Sequence, residues 1–311
     1  MCGIAGIIYR GKTSNIGGEM TAMLQSMKHR GPDSTGYAVY GTPAPDEFIV
    51  RFKVAEQEDM HKGFEIHSQV KERRTEVDAR IRSLDAQIIA AEEATEYAFR
   101  YRIKYQGDLR RFSDYIEDVE GAEILSIGTS LELIKDLGDA SQVAGQYHLG
   151  QFVGTHAIGH VRMATESDVD ICSAHPFWAY PFSDVSVVHN GQLTNYWSKR
   201  RDLERKGLRF MSNCDSELIA VYLADKIESG HPLEDAMKAS VEELDGVFTY
   251  VVATSDSLGM AKDVMAAKPM VLYEGEDCIA LASEEVAIRN VFPHEIDTYD
   301  PYDGEVRVWR N

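Results

Sequence analysis

The sequence predicts an α+β protein in which many short strands are layered with helices grouped between them. Three observations predict it. Apolar runs of strand length recur from the first ten residues to the last ten. Helical spacing is confined to a few segments, so a strict βαβ alternation is absent and separate layers are the better packing solution. The chain has 311 residues with 44% hydrophobic content, enough for one large domain or two modest ones with a real core. We expect a single domain over residues 1–311. There is no internal repeat and no low-complexity tail.

In chain order, residues 3–9 are small and apolar, as in a buried strand with close neighbours. Residues 19–29 place Met20, Met23, Leu24 and Met27 at helical spacing. The loop Arg30-Gly-Pro-Asp-Ser-Thr-Gly36 stops that helix, Tyr37–Tyr40 reads as a strand, Gly41–Pro45 as a turn, and Phe48–Lys53 as another strand. From about 56 to 120 the composition shifts to Glu, Arg, Lys, Gln and Ala. Val70, Val77, Ile81, Leu84, Ile88 and Ala91 step by 7, 4, 3, 4 and 3, which is heptad spacing. A helical hairpin inserted between sheet segments is therefore expected at about 56–120.

Strand character returns at Ile124–Gly128. Leu131–Leu137 fits one or two helical turns. His156–Arg162, Asp184–His189, Gly246–Ala253, Met270–Tyr273, Cys278–Ala282 and Glu305–Trp309 read as strands, and Asp215–Ile227 as a helix carrying Leu218, Ile219, Tyr222 and Leu223.

Charge narrows the partners. With 32 Lys plus Arg against 51 Asp plus Glu, the formal net charge is -19. Nucleic acid and anionic membrane bind through Lys and Arg, so neither is expected. No apolar run reaches the roughly 18 residues of a membrane span, and no positive n-region precedes the apolar N-terminus. The four cysteines lack a disulfide-scaffold spacing, so reduced thiols and a cytoplasmic location are expected. Cys172 and His175, with His156, His160, His189 and Cys214, form no metal-ligand motif. No Gly-rich phosphate loop follows a strand. No metal and no cofactor are expected, and His175 is expected to be a hydrogen-bonded residue of a loop over the site.

Cys2 is the first candidate for chemistry. Methionine before a small residue is normally trimmed, which would leave Cys2 with a free α-amine. A thiol needs a base to become the attacking thiolate. An α-amine, with a reference pKa near 7.7–8.0, would supply that base on the nucleophile itself. Four segments accompany it in order: His29-Arg-Gly-Pro-Asp-Ser-Thr-Gly36, Gly159-His-Val-Arg-Met-Ala-Thr165, His189-Asn-Gly-Gln-Leu-Thr-Asn195 and Asn213-Cys-Asp-Ser-Glu-Leu-Ile219. Taken singly, a strand-end Arg is a surface residue, Asn-Gly a turn, and Asp before Ser-Glu a helix cap.

As an ordered set with an N-terminal cysteine, they closely resemble the class II (purF-type) glutamine amidotransferases, which are N-terminal-nucleophile hydrolases. The resemblance covers nearly all of the chain outside the inserted segment. It implies a four-layer αββα sandwich and hydrolysis of L-glutamine to glutamate and ammonia through a Cys2 thioester. In the family the residue matching Arg162 holds the substrate carboxylate, as a guanidinium fork suits it. The residue matching Asp215 binds the ammonium, and Asn190 and Gly191 match the oxyanion hole. Thr165 matches a residue near the substrate carboxylate, and Arg30 with Gly31 match the loop bordering the pocket.

Domains of this family deliver ammonia to a second active site. Since this sequence ends at Asn311, soon after the last motif, no phosphoribosyltransferase, sugar-isomerase or asparagine-synthetase domain is expected alongside it. The resemblance thus implies hetero-oligomerisation with a synthase subunit. His175-Pro-Phe-Trp178 with the Gly159–Asp170 stretch looks most like the separate amidotransferase subunits of glutamate-synthase-like systems, including the N-methylglutamate synthase type. The segment at 56–120 is either a partner surface or a solvated arm covering the core. Three further readings compete: a stand-alone amidohydrolase of another amide, needing Cys2 but not Arg162 with Asp215, a non-catalytic glutamine sensor, needing that pair but not Cys2, and a scaffold subunit, needing neither.

Overall fold

The structure, a computed structural model, describes residues 2–44, 46–163, 171 and 174–311. Along the chain run β1 (Gly3–Tyr9), α1 (Ile16–Ser26), β2 (Ser34–Tyr40), β3 (Phe48–Lys53), α2 (Phe64–Ser83), β4 (Gln87–Glu93), β5 (Ala98–Lys104) and α3 (Leu109–Glu117). Next come β6 (Glu123–Gly128), β7 (Leu131–Leu137), α4 (Ala140–Gln146), β8 (His156–Arg162), β9 (Phe177–Trp178), β10 (Ser186–Leu193) and α5 (Tyr196–Arg205). The remainder is α6 (Asp215–Glu228), α7 (Leu233–Glu243), β11 (Gly246–Ala253), β12 (Ser257–Lys262), β13 (Val271–Glu274), β14 (Cys278–Ala282), α8 (Glu285–Val291), β15 (Thr298–Tyr299) and β16 (Val306–Arg310).

The strands make a seven-stranded sheet in the order β15-β13-β14-β1-β8-β2-β7 and a five-stranded sheet in the order β16-β12-β11-β10-β9. Neighbours in both are antiparallel. The sheets meet face to face: β1 contacts β10, β11 and β12, while α1, α4 and α8 cover one outer face and α6 and α7 the other. This is the four-layer αββα sandwich.

Alternation along β10 and β11 shows why two layers form. Val188 and Val251 join the cluster shared with the seven-stranded sheet, whereas Val187, Tyr250 and Val252 join the cluster built with α6 and α7. Successive side chains on a strand point to opposite faces, so a strand apolar at every position must be covered on both sides. Each fully buried Val, Leu or Ile contributes on the order of 1.5–3 kcal/mol. Tyr40 ties the sheets together, its hydroxyl donating to the Ala253 carbonyl at 2.9 Å and lying 2.8 Å from Ser186 Oγ.

Two expectations are corrected. The segment at 56–120 is not a helical hairpin. Its helices, α2 and α3, flank the paired strands β4 and β5, which join β3 and β6 in a four-stranded sheet of order β4-β5-β3-β6. The heptad run continues through Leu84, but Asp85 adopts φ +58, which ends the helix before Ile88 and Ala91. In β5, Ala98, Phe99, Tyr101 and Ile103 are buried and Arg100 and Arg102 half-buried, so a basic alternation hides a strand beneath a charged composition.

Leu131–Leu137 is likewise a strand, β7, paired with β2 in register from Ser34↔Leu137 to Tyr40↔Leu131. Its period of two is masked because Glu132 is buried. That carboxylate receives Arg51 Nη2 at 2.5 Å and Arg100 Nη2 at 2.8 Å from the four-stranded sheet. A charged residue facing inward with partners reads in the sequence as a solvent position.

Candidate active site

β1 delivers Cys2 to the centre of the larger sheet. Gly3 pairs with Val161 of β8, and Ile4 is locked to Ser283, whose hydroxyl accepts from Ile4 N at 3.0 Å. Cys2 itself is half-buried and its thiol is unbonded; Met1 lies outside the described residues. Two predicted residues converge on its carbonyl: Asn190 Nδ2 donates at 3.2 Å and Arg30 Nη1 at 3.4 Å.

Arg30 is oriented by Glu284, whose Oε1 accepts from Arg30 Nε and also lies 3.0 Å from His29 Nε2. Gly31 is required by close approach, since a Cβ there would stand 2.1 Å from the Arg162 carbonyl carbon. Arg162 closes β8, opposite Ser34 in register, and its carbonyl accepts from Asp33 N at 3.2 Å. Cys2, Arg30, Gly31 and Arg162 therefore lie around one end of the β1–β8–β2 triplet.

The second half of the site comes from the smaller sheet. Asn190 and Gly191 lie near the end of β10, opposite Thr249 and Phe248 of β11. Gly191 has φ +152, and a Cβ would meet the Val247 carbonyl oxygen at 2.2 Å, so only glycine fits there. Asp215 opens α6. One carboxylate oxygen accepts from Leu193 N at 2.8 Å and the other stands 3.6 Å from His189 Nδ1. Asp215 is thus fastened to the strand that carries Asn190 and Gly191. Thr165 lies outside the described residues, as does Cys172.

Behind these residues stand three histidines. The His160 and His175 rings lie 4.1 Å apart, and His175 and His189 stack at 6.3 Å. Burial is the main force lowering all three pKa values, with neighbouring positive charge adding for His160 and His175; His160 falls to about 3. His189 N donates to His175 Nδ1 at 3.2 Å, which makes that nitrogen an acceptor and puts the His175 proton on Nε2. The sequence placed His175 as a hydrogen-bonded residue of a loop over the site; it is hydrogen-bonded to His189 N and is buried. Cys214 neighbours Asp215, and burial together with that carboxylate pushes its thiol up to about 11. Cys278 is raised by burial too. Neither thiol is prepared to ionise near neutrality, so neither competes with Cys2 as a nucleophile.

Among the described residues, no group of three or more His, Cys, Asp or Glu is arranged to hold a metal ion, and no helix is long and apolar enough to cross a membrane. Sequence reasoning missed Ser283, Glu284 and Glu217. Ser283 and Glu284 fix Ile4 and Arg30 across more than 250 residues of chain; only the Ser-Glu-Glu following the strong strand at 278–282 hinted at a polar cluster.

Comparisons with known proteins identify the family. Residues 160–290 match a family described as the glutamine amidotransferase domain. A protein named "Putative glutamine amidotransferase" from Methanothermobacter thermautotrophicus is 41% identical, covering 99% of both chains. The glutamine amidotransferase-like protein GlxB of Rhizobium meliloti is 33% identical over 99% of this chain and 98% of its own. The solved glutamine phosphoribosylpyrophosphate amidotransferase of B. subtilis, complexed with ADP and GMP, superposes with a TM-score of 0.61 at 18% identity. That match covers 100% of this chain but only 47% of the larger one, and it shows the fold alone. The fold is that of the N-terminal-nucleophile amidotransferases. The chain belongs to the class II glutamine amidotransferases and is an enzyme.

Proposed function

We propose that this enzyme hydrolyses L-glutamine to glutamate and ammonia through Cys2 and passes the ammonia to a separate synthase subunit. The convergence of Asn190 and Arg30 on Cys2, with Gly191 and Asp215 on the adjoining strand and helix, is the observation that carries it. Removal of Met1 turns the Cys2 nitrogen into a terminal amine that accepts the thiol proton. The thiolate adds to the γ-carboxamide carbon; the oxyanion is met by the Asn190 amide and the Gly191 N–H. Collapse breaks the C–N bond, ammonia leaves with the proton, and water resolves the γ-glutamyl thioester to glutamate and free thiol. Arg162 holds the α-carboxylate and Asp215 the α-ammonium, with Arg30, Gly31 and Thr165 bordering the pocket.

The acceptor partner is read as glutamate-synthase-like, and the enzyme as cytoplasmic, acting as one domain over residues 1–311. Three thiols without disulfides support a reducing location. The four-stranded sheet is a candidate partner surface, although its buried residues belong to the same cluster as the larger sheet. Surface substitutions on it, rather than deletion, are therefore the appropriate probe.

Intact mass before and after an electrophilic glutamine analogue tests the half-reaction. The expected result is a chain lacking Met1 that gains one adduct, lost in Cys2→Ala along with glutamine hydrolysis. Retained Met1, or turnover undiminished in Cys2→Ala, would refute the scheme.

A further inference from the structure

Between Arg205, where α5 ends, and Asp215, where α6 begins, residues 206–214 have no helix or strand to place them. Side chains place them instead. On the site side, Glu217 is buried and its carboxylate accepts from Met211 N at 2.6 Å, Ser212 N at 2.7 Å and Ser212 Oγ at 2.6 Å. Arg200 Nη1 holds the Ser212 carbonyl at 2.7 Å.

On the far side, Arg209 turns away from the site toward the four-stranded sheet. Its Nη2 donates to Glu117 Oε2 at 2.5 Å and its Nη1 pairs with Asp114 Oδ1 at 2.8 Å, both on α3. The guanidinium lies 4.4 Å from the centre of the Tyr180 ring, whose hydroxyl also donates to Asp114. Glu117 is anchored in turn, because its Oε1 accepts from Ile124 N of β6 at 3.0 Å. One guanidinium thus joins α3, the segment leaving β9 and the loop that ends at Asp215.

We propose that Arg209 is a positioning residue for glutamine capture: by fixing the loop against α3 it sets where Asp215 meets the substrate ammonium. The inference rests on the reading that Asp215 binds that ammonium. The side chains of Arg209 and Asp114 are 43% and 45% exposed, and pairs so exposed add little to global stability. The bond to buried Glu117 is different in kind, since it fixes a geometry. Arg209 is one of several anchors of this irregular loop, beside Arg110 Nη1 on the Gly207 carbonyl at 2.8 Å and Arg200 Nη1 on Asn213 Oδ1 at 3.1 Å, and its removal loosens the stretch that leads to the substrate contact.

The test is calorimetric binding of L-glutamine to the full chain in a Cys2→Ala background, with Arg209→Gln, Arg209→Lys and Asp215→Asn compared. Alongside it, Cys2 alkylation by iodoacetamide, which carries no amino-acid handle, is timed in the Cys2 background. Arg209→Gln is expected to weaken glutamine roughly three- to tenfold, the equivalent of about 0.7–1.4 kcal/mol. Alkylation should stay unchanged, whereas the melting temperature should fall, since buried Glu117 loses its guanidinium partner. Arg209→Lys should recover part of the affinity, because it keeps the charge but not the fork. Unchanged affinity in Arg209→Gln, with affinity lost in Asp215→Asn, overturns the role of Arg209 alone. Unchanged affinity in Asp215→Asn overturns the underlying assignment. Affinity, alkylation and melting all shifting together in Arg209→Gln makes it a brace of the fold and overturns the proposal.

Discussion

In the proposed mechanism, Asn190 contributes little to the fold and much to the reaction. Its amide donates to the Cys2 carbonyl at 3.2 Å, a bond worth about 1 kcal/mol to stability. The same donor faces charge only once the tetrahedral oxyanion forms. Asn190→Ala should therefore lower kcat roughly 100- to 1,000-fold while the apparent affinity for glutamine stays close to wild type. Steady-state hydrolysis checks this, and a loss confined to KM would remove Asn190 from the oxyanion role. Gly191→Ala should behave differently, since its Cβ would collide with backbone and must damage folding as well as turnover. Much at this scale was legible in the sequence. Cys2, Arg30, Gly31, Arg162, Asn190, Gly191 and Asp215 lie in short, ordered motifs, and the structure gathers them at adjoining strand ends. Glu284, Ser283 and Arg209 were not legible, because their meaning lies in contacts formed across 92 or more positions.

At the scale of elements, Glu132 explains both a misreading and a vulnerability. The strands of the two large sheets were readable where apolar residues run unbroken, as in β1 and β14. β7 was not, because Glu132, Lys135 and Asp136 interrupt the apolar run while remaining buried. Glu132 is 2% exposed and is shared by Arg51 and Arg100; the two guanidinium groups hold its pKa below the usual carboxylate range against the opposing effect of burial. Taking one partner from a buried ion pair leaves the others uncompensated and typically costs 3–5 kcal/mol, more than the pair contributes when intact. Glu132→Gln should therefore lower the urea midpoint markedly, whereas Glu92→Gln, at the exposed edge of the same cluster, should change it little. Equal midpoints for the two variants would show that burial is not what makes the cluster matter. The same cluster holds the four-stranded sheet against β7, so partial loss of that sheet should precede global unfolding in Glu132→Gln, visible as hydrogen exchange concentrated in residues 87–104.

For the molecule as a whole, the buried histidines set a direction for stability against pH. His156 falls to about 4, His160 to about 3, and His175 and His189 are lowered as well, with burial the leading cause in each. A histidine whose folded pKa is depressed contributes stability above its unfolded pKa and loses it as pH falls, because the unfolded chain takes up the proton first. With an unfolded value near 6.5, a histidine held neutral in the fold, as His156 and His160 are, costs roughly 1.4 kcal/mol at pH 5.5. Glu117 acts in the opposite sense. Burial raises it to about 7, so the folded state gains a proton before the unfolded one, recovering on the order of 2 kcal/mol over the same window. Glu217 is raised too and adds to that recovery. Four histidines against two carboxylates leave a net loss of stability between pH 7.5 and 5.5. The urea midpoint should therefore fall across that interval, and a midpoint that holds steady or rises would mean that the histidine cluster takes up protons without unfolding. His189 Nδ1 stands 3.6 Å from an Asp215 carboxylate oxygen, and because burial keeps the rings neutral while the fold holds, glutamine binding should persist until unfolding begins. Binding measured in parallel with unfolding should show affinity and folded fraction falling together, and affinity declining at a higher pH than the unfolding transition would mean that these histidines take up protons in the folded state.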